Sequence, residues 1–265
     1  MRHAELSDRL AAIVAAAPGQ VSVAVRGWDG FRWDHDSTRV VPAASTVKVP
    51  ILLAYLESGM PWDLPVALPT HRVGGCGPLS LLPSVTTLPA GELLRLMIAL
   101  SDNDATNAIL GVVGYGGVSR LLTKARARHT EVRRPMMDPA AVAAGRDNVT
   151  TAANLAELLA SLRAGVLVDH RSAAMALAVM REQQFRDGLA AYLPEDVHCA
   201  SKTGMLPGIR HDIAIIERDQ RWVVVTALGT DLMDAEIDRG TAILPSYAAL
   251  GEAVTALILR ADLTC

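Results

Sequence analysis

From about Ala4 to Ala16 the apolar side chains recur at helical spacing, with Glu5, Asp8 and Arg9 alternating in sign on the opposite face, which predicts an amphipathic helix. Val21 to Trp28 (VSVAVRGW) alternates instead and is rich in β-formers. The turn Asp29-Gly30 and a second alternating run, Phe31 to Asp36, complete a predicted hairpin. Spacing turns helical again from Ala44 to Ser58, with Val47, Leu52, Tyr55 and Leu56 among the apolar positions and Gly59 as the stop. Helical segments follow at about Ala90 to Ser101, Ala105 to Val113, Val118 to Ala127, Thr151 to Ala164 and Arg171 to Met180, separated by loops that contain Gly and Pro.

After His198 the pattern reverts to strands, at Cys199 to Thr203, Asp212 to Arg218 and Arg221 to Leu228, the last two joined at Asp219-Gln220. Ala235 to Leu259, broken at Pro245, is expected to close the chain as helix. Strands at both ends with helices between them mean that one sheet is assembled from distant parts of the sequence. The expected fold class is therefore α/β (α+β): an antiparallel sheet flanked by N- and C-terminal helices, with an inserted all-α domain. Residues 1–45 plus 196–265 are expected to form the sheet domain and residues 46–195 the all-α domain.

The 265 residues are 51% hydrophobic and 20% charged, which excludes a disordered or solvating chain. A formal charge of −3 gives no electrostatic reason to expect nucleic acid or an anionic membrane as partner, so a small-molecule substrate is the expected ligand. The longest apolar run near the start, Leu10 to Ala17, is about half of what a bilayer-spanning helix needs. A secretory leader would be basic and free of acids, so the expected compartment is the cytoplasm. Cys76, Cys199 and Cys265 allow at most one disulfide, and the seven histidines lack metal-binding spacings, so neither a metal nor another cofactor is expected. Trp28, Trp33, Trp62 and Trp222 are expected to pack, and the glycine-rich stretch Gly111 to Gly117 lacks the ending of a phosphate loop.

Only three of the 25 basic residues are lysines: Lys48, Lys124 and Lys202. Where arginine serves for every generic positive charge, a retained lysine points to chemistry that arginine cannot do, since only lysine can give up its proton. Ser45-Thr-Val-Lys48 sets a hydroxyl and an amine one turn apart at a helix start, a suitable pair for base-activated acyl transfer. The spacing alone is weak: with 13 serines and three lysines it arises by chance roughly one time in seven. Ser101-Asp102-Asn103 ends an apolar helix and is by itself an ordinary capping cluster. Lys202-Thr203-Gly204 lies on a predicted strand, where the glycine permits close approach of another backbone or a ligand.

In this order the three motifs are the signature of class A β-lactamases and penicillin-binding proteins, and the chain resembles class A β-lactamase-like serine hydrolases over nearly its whole length. The resemblance extends to Asp102 to Leu110, Gly116-Gly117 and Asn148 to Leu159. It implies an α/β sandwich with an inserted helical domain and a cleft between them. It also implies roles. Ser45 would be acylated, Lys48 would activate it, and Ser101 would relay a proton to the leaving group. Asn103 would hold a substrate amide, while Lys202 and Thr203 would position Ser101 and bind a substrate carboxylate. The N–H groups of Ser45 and Met205 would form an oxyanion hole beside Gly204. Arg210 is a candidate carboxylate anchor, with His211 as the alternative for that place and otherwise a surface-turn residue. Cys76, in Gly-Gly-Cys-Gly, would stand at the cleft edge or be buried as a small apolar residue.

One element of the family pattern is missing. Class A enzymes carry a deacylating glutamate in a Glu-x-x-Leu-Asn stretch, and the corresponding region here is EVRRPMMDPA, residues 131–140. Glu131 and Asp138 are the candidate carboxylates for activating water, Asp138 being equally suited to cap a helix or to pair with Arg133, Arg134 or Arg146. Acylation is thus better supported than deacylation. The expected activity is a serine acyl-enzyme hydrolase acting on a small carboxylate-bearing amide, β-lactam or ester. The alternatives are a D,D-peptidase-like or acyltransferase enzyme of intracellular metabolite processing, and a β-lactam-binding protein that does not turn over.

Overall fold

The computed structural model describes residues 3–232 and 240–259. Cys265 and the first part of the expected C-terminal helix, residues 235–239, lie outside the described residues.

Helix α1 (His3–Ala16) leads into the hairpin β1 (Gln20–Gly27) and β2 (Arg32–His35). A short β3 (Val41–Pro42) and a 3-10 turn (Ala44–Val47) precede α2 (Lys48–Glu57). The small ribbon β4 (Pro65–Ala67) and β5 (Thr87–Pro89) then brackets the loop that carries Cys76. Next come α3 (Ala90–Ala99), α4 (Asn103–Lys124), α5 (Pro139–Ala143), β6 (Val149–Thr150), α6 (Ala152–Arg163) and α7 (His170–Arg181). The chain returns to the sheet as β7 (His198–Leu206), β8 (Ile209–Arg218) and β9 (Arg221–Thr230), and α8 (Leu244–Ile258) ends it, with Pro245 in its first turn.

The main sheet runs β2-β1-β9-β8-β7 and is antiparallel throughout, so N-terminal β1 pairs with C-terminal β9 over eight residues, Gln20↔Thr230 to Gly27↔Val223. Both faces are covered. On β8 and β9 the side chains of Ala214, Ile216, Val223 and Val225 pack with α1 and α8, while Ile213, Ile215, Val224 and Leu228 pack with the helices on the other side. A strand buried on both faces needs no polar alternation, which is why RWVVVTAL is an almost unbroken apolar run. Thr241–Ile258 is long and apolar enough to cross a membrane, but that stretch includes α8, whose Tyr247, Leu250, Val254 and Leu257 are buried on the sheet.

Helix α2 forms where the helical spacing predicts it and is apolar from Val49 to Leu56. Every residue from Lys48 to Leu56 is buried, because α2 is the central helix of the larger core and is enclosed by α3, α4 and α7. The two helices expected on either side of Gly114 form one element, α4, kinked where Gly114 takes a φ of 67° and a ψ of 159°. The ribbons β3-β6 and β4-β5 and the five-residue α5 are too short to leave a periodic signal.

Candidate active site

Ser45 stands in the 3-10 turn ahead of α2, and the backbone N–H of Lys48 closes that turn on the Ser45 carbonyl. Side chains three residues apart eclipse in a 3-10 turn, so the Ser45 and Lys48 side chains leave on the same side. Ala44, just before Ser45, has a φ of 46°, a left-handed conformation that costs a non-glycine residue about 1–3 kcal/mol and is held by the surrounding packing.

Lys48 is fully buried. Its Nζ donates to the Ser101 carbonyl at 2.6 Å, to Asn103 Oδ1 at 2.9 Å and to Ser101 Oγ at 3.0 Å. Desolvation, then the positive charge of Lys202, hold the Lys48 amine well below the ordinary lysine range. The Ser101-Asp102-Asn103 turn is fixed around this amine from several directions. Ser101 has a φ of 57°, and Asp102 caps α4 by accepting from Ala105 N–H at 2.8 Å while its other oxygen accepts from Leu79 N–H at 2.9 Å. Asn103 Nδ2 donates to the Gly74 carbonyl, and Asn103 N–H donates to the Cys76 carbonyl. Asn103 therefore ties the amine to the Gly-Gly-Cys-Gly loop.

Strand β7 closes the site from the sheet side. A Cβ on Gly204 would lie 3.1 Å from the Ala44 Cβ and 3.2 Å from the Ser45 backbone nitrogen, so the absence of a side chain lets the strand press against the turn that carries Ser45. Lys202 is fully buried next to it and donates to the Thr203 carbonyl at 2.8 Å. Desolvation is the main cause that brings its amine down to about 7, with Arg210 adding to the shift and Cys76 and Asp212 opposing it.

Ser45, Ser101, Cys76, Thr203, Met205 and Arg210 line one small pocket, together with Phe185. Ser45, Ser101 and Thr203 belong to the three motifs, Cys76 and Met205 are marked by the places the resemblance gives them, and Arg210 by its place on the next strand. Phe185, in the segment after α7, carries no sequence signal that distinguishes it from any other exposed aromatic. Cys76 is half-buried in the cavity wall, and Cys199 is a free thiol buried in the sheet, where desolvation pushes it up to about 12.

One expectation needs correction, and two open readings are decided by local contacts. His211 is not a surface-turn residue: it points into the interior on β8, its Nε2 lies 2.8 Å from the Pro42 carbonyl, and burial pulls it down to about 4. Glu131 is held outward in an ion pair with Arg133 at 2.7 Å, and that hydrogen bond lowers its pKa. Asp138 caps α5, accepting from Ala141 N–H at 2.9 Å, while Arg134 pairs with Asp147 instead. Neither carboxylate is among the residues lining the cavity, because each is engaged in building the loop between α4 and β6. That loop is tied back to α4 by Asn107, whose side chain accepts from Met136 N–H at 2.7 Å and donates to the Met136 carbonyl at 3.2 Å.

The profile of the Beta-lactamase enzyme family matches residues 5–244. The chain belongs to this family. Among solved structures it is similar to a β-lactamase from Sphaerobacter thermophilus, with 26% identity and a TM-score of 0.86, covering 95% of this chain and 96% of that one. A β-lactamase from Xanthomonas campestris is 25% identical, with a TM-score of 0.83 and 97% and 98% of the two chains covered. PBP-A shares the fold at 21% identity and a TM-score of 0.79, over 95% and 96% of the chains. No curated protein sequence matches this chain. The family and the fold make it a serine β-lactamase-like hydrolase.

Proposed function

We propose that this family member forms an acyl-enzyme at Ser45 with small carboxylate-bearing amides or esters, β-lactams among them, and that acylation outruns hydrolysis. The observation that carries the first half is the buried Lys48 amine, fixed by Ser101 and Asn103 one 3-10 turn after Ser45. As a neutral amine, Lys48 takes the Ser45 proton while Ser45 Oγ bonds to the acyl carbon. The N–H groups of Ser45 and Met205 receive the charge that develops on the carbonyl oxygen; an oxyanion-hole donor is typically worth about 3 kcal/mol. When the C–N or C–O bond breaks, Ser101 gives its proton to the leaving atom and recovers one from Lys48, 3.0 Å away. Thr203, Arg210 and Lys202 in its charged form bind the substrate carboxylate.

The second half rests on the cavity lining, which includes no carboxylate among the described residues. A water molecule entering the acyl-enzyme meets no dedicated base of that kind, so the ester waits for slow hydrolysis or for an amine or alcohol acceptor. In a variant of PBP-A, a protein of the same fold, an acyl-enzyme with penicillin G has been captured. Intact-mass measurement after incubation with benzylpenicillin tests the proposal. A stable adduct on the wild type and none on Ser45→Ala supports it, while labelling that survives in Ser45→Ala overturns the assignment of the nucleophile. Rapid turnover without an accumulating adduct overturns the order of rates.

A further inference from the structure

Residues 183–189 cross from the helical half of the molecule to the sheet along one wall of the cavity. At one end Gln183 Nε2 donates to the Ile98 carbonyl and Gln184 N–H to the Ala99 carbonyl, just before Ser101. At the other end Leu189 N–H donates to Asp212 Oδ2 at 2.8 Å, and a Cβ on Gly188 would overlap that same oxygen. Between these anchors Phe185 faces the cavity, and both oxygens of Asp187 lie on Arg210 Nη2, at 3.1 and 3.0 Å.

The two members of this ion pair sit very differently. The Arg210 side chain is 7% exposed, with Nη1 on Met205 Sδ at 3.1 Å, whereas the Asp187 side chain is 53% exposed. A carboxylate anchored by Thr203 and Arg210 would therefore have, just beyond its anchor, a second carboxylate with lone pairs open to solvent. Asp187 cancels part of the attraction of Arg210 for any further anion and offers a partner to a cation. The geometry points to Asp187 as a specificity-determining residue that selects substrates carrying a cationic group adjacent to the anchored carboxylate, and disfavours a second negative charge there. The substrate class is thus a zwitterionic amide, ester or β-lactam. This rests on the acyl-enzyme reading of the site, and it adds the charge of the substrate on the side away from the scissile bond.

Two cephalosporins that share a thienylacetamido side chain test it. One carries a neutral acetoxymethyl group and the other a pyridinium-methyl group, in each case on the ring carbon next to the carboxylate. Second-order acylation rates by intact mass should favour the pyridinium compound in the wild type by about fivefold, the size of a unit-charge interaction at about 4 Å in a solvent-like dielectric. Asp187→Asn should bring the ratio close to one, and Asp187→Glu, which keeps the charge, should retain most of the preference. A purely structural role for Asp187 would slow both compounds alike and leave the ratio in place, which overturns the inference. A wild-type ratio near one overturns it as well. If neither compound acylates the wild type, the acyl-enzyme reading itself fails and the inference with it; acylation of both with an unmoved ratio refutes the inference alone.

Discussion

The amine of Lys48 lies 2.6 Å from the carbonyl oxygen of Ser101 and 3.0 Å from its hydroxyl, a contact that joins the first residue of α2 to the turn between α3 and α4. Two N–H bonds of a neutral amine suffice for the Ser101 carbonyl and Asn103 Oδ1. The lone pair is then left for a hydroxyl proton. The same nitrogen can accept from one serine and supply another without moving out of its cage, and this is the economy on which the proposed chemistry rests.

Replacing Lys48 by arginine tests that economy. Arginine keeps the positive charge and several donors but does not lose its proton at any accessible pH. Acylation by benzylpenicillin should fall by at least about 100-fold, the lower range of a lost general base. A variant that folds, by circular dichroism, and still acylates within tenfold of the wild-type rate would falsify the role of Lys48.

The pH dependence follows from two buried amines with opposed duties. Lys48 must be neutral to accept a proton, and its pKa is depressed by desolvation and by Lys202, so acylation is lost as acid protonates it. Lys202 must be charged to attract a carboxylate, and its amine is brought down to about 7 by burial, so acylation of an anionic substrate declines as pH rises through about 7. The rate constant for free enzyme and free substrate should trace a bell with its alkaline limb near there, the apparent values belonging to the pair of amines. An uncharged ester should lose the alkaline limb and keep the acid one. An alkaline limb of equal depth for both substrates would remove Lys202 from carboxylate binding.

Much of this site was legible in the chain because its chemistry sits at motif positions. Ser45, Lys48, Ser101, Lys202 and Thr203 are marked by order and spacing, and the scarcity of lysine strengthens the reading of two of them. The strands were legible because VSVAVRGW and RWVVVTAL have no other plausible use. What stayed hidden depends on tertiary neighbours. Burial of α2 on every side agrees with its unbroken apolar run from Val49 to Leu56, but which helices enclose it does not follow from its own residues. The outward turn of Glu131 is set by its ion pair with Arg133, which competes with a catalytic reading of the same letters, whereas the capping of α5 by Asp138 is one of the uses its sequence context offers. Phe185 and Asp187 reach the site because Asp212 and the carbonyls at the end of α3 hold their segment there, a relation between residues far apart in sequence.

The loop carboxylates yield a separate prediction. Asp138→Ala removes an N-cap and should cost about 1 kcal/mol of stability, while Glu131→Ala, which breaks an exposed ion pair, should cost well under that. Neither should change the lifetime of the benzylpenicillin adduct by more than about twofold, a margin of about 0.4 kcal/mol in the barrier. Time-resolved intact mass measures the lifetime and thermal unfolding the stability. A tenfold longer-lived adduct in either variant would restore that carboxylate as the deacylating base.

Gly204 offers the most direct test of how the sheet shapes the site. A methyl group there would press on Ala44 Cβ at 3.1 Å and on Ser45 N and Thr46 Cγ2 at 3.2 Å, contacts tighter than most packed atoms adopt. Part of the strain can be relieved only by moving β7 away from the 3-10 turn, because Thr46 is fully buried and cannot yield. The cost in stability should be about 1–3 kcal/mol, typical of an added methylene in a packed interior. The cost in activity should be larger than stability alone explains. The N–H groups of Ser45 and Met205 lie on the two sides of that contact, and pushing them apart weakens an oxyanion hole that works only at hydrogen-bond distance. Gly204→Ala should therefore remain folded at 25 °C, by circular dichroism, with acylation reduced by about 10- to 100-fold. Full acylation at wild-type rate in a destabilised protein would mean that β7 and the Ser45 turn are free to separate, and that the oxyanion donors lie elsewhere.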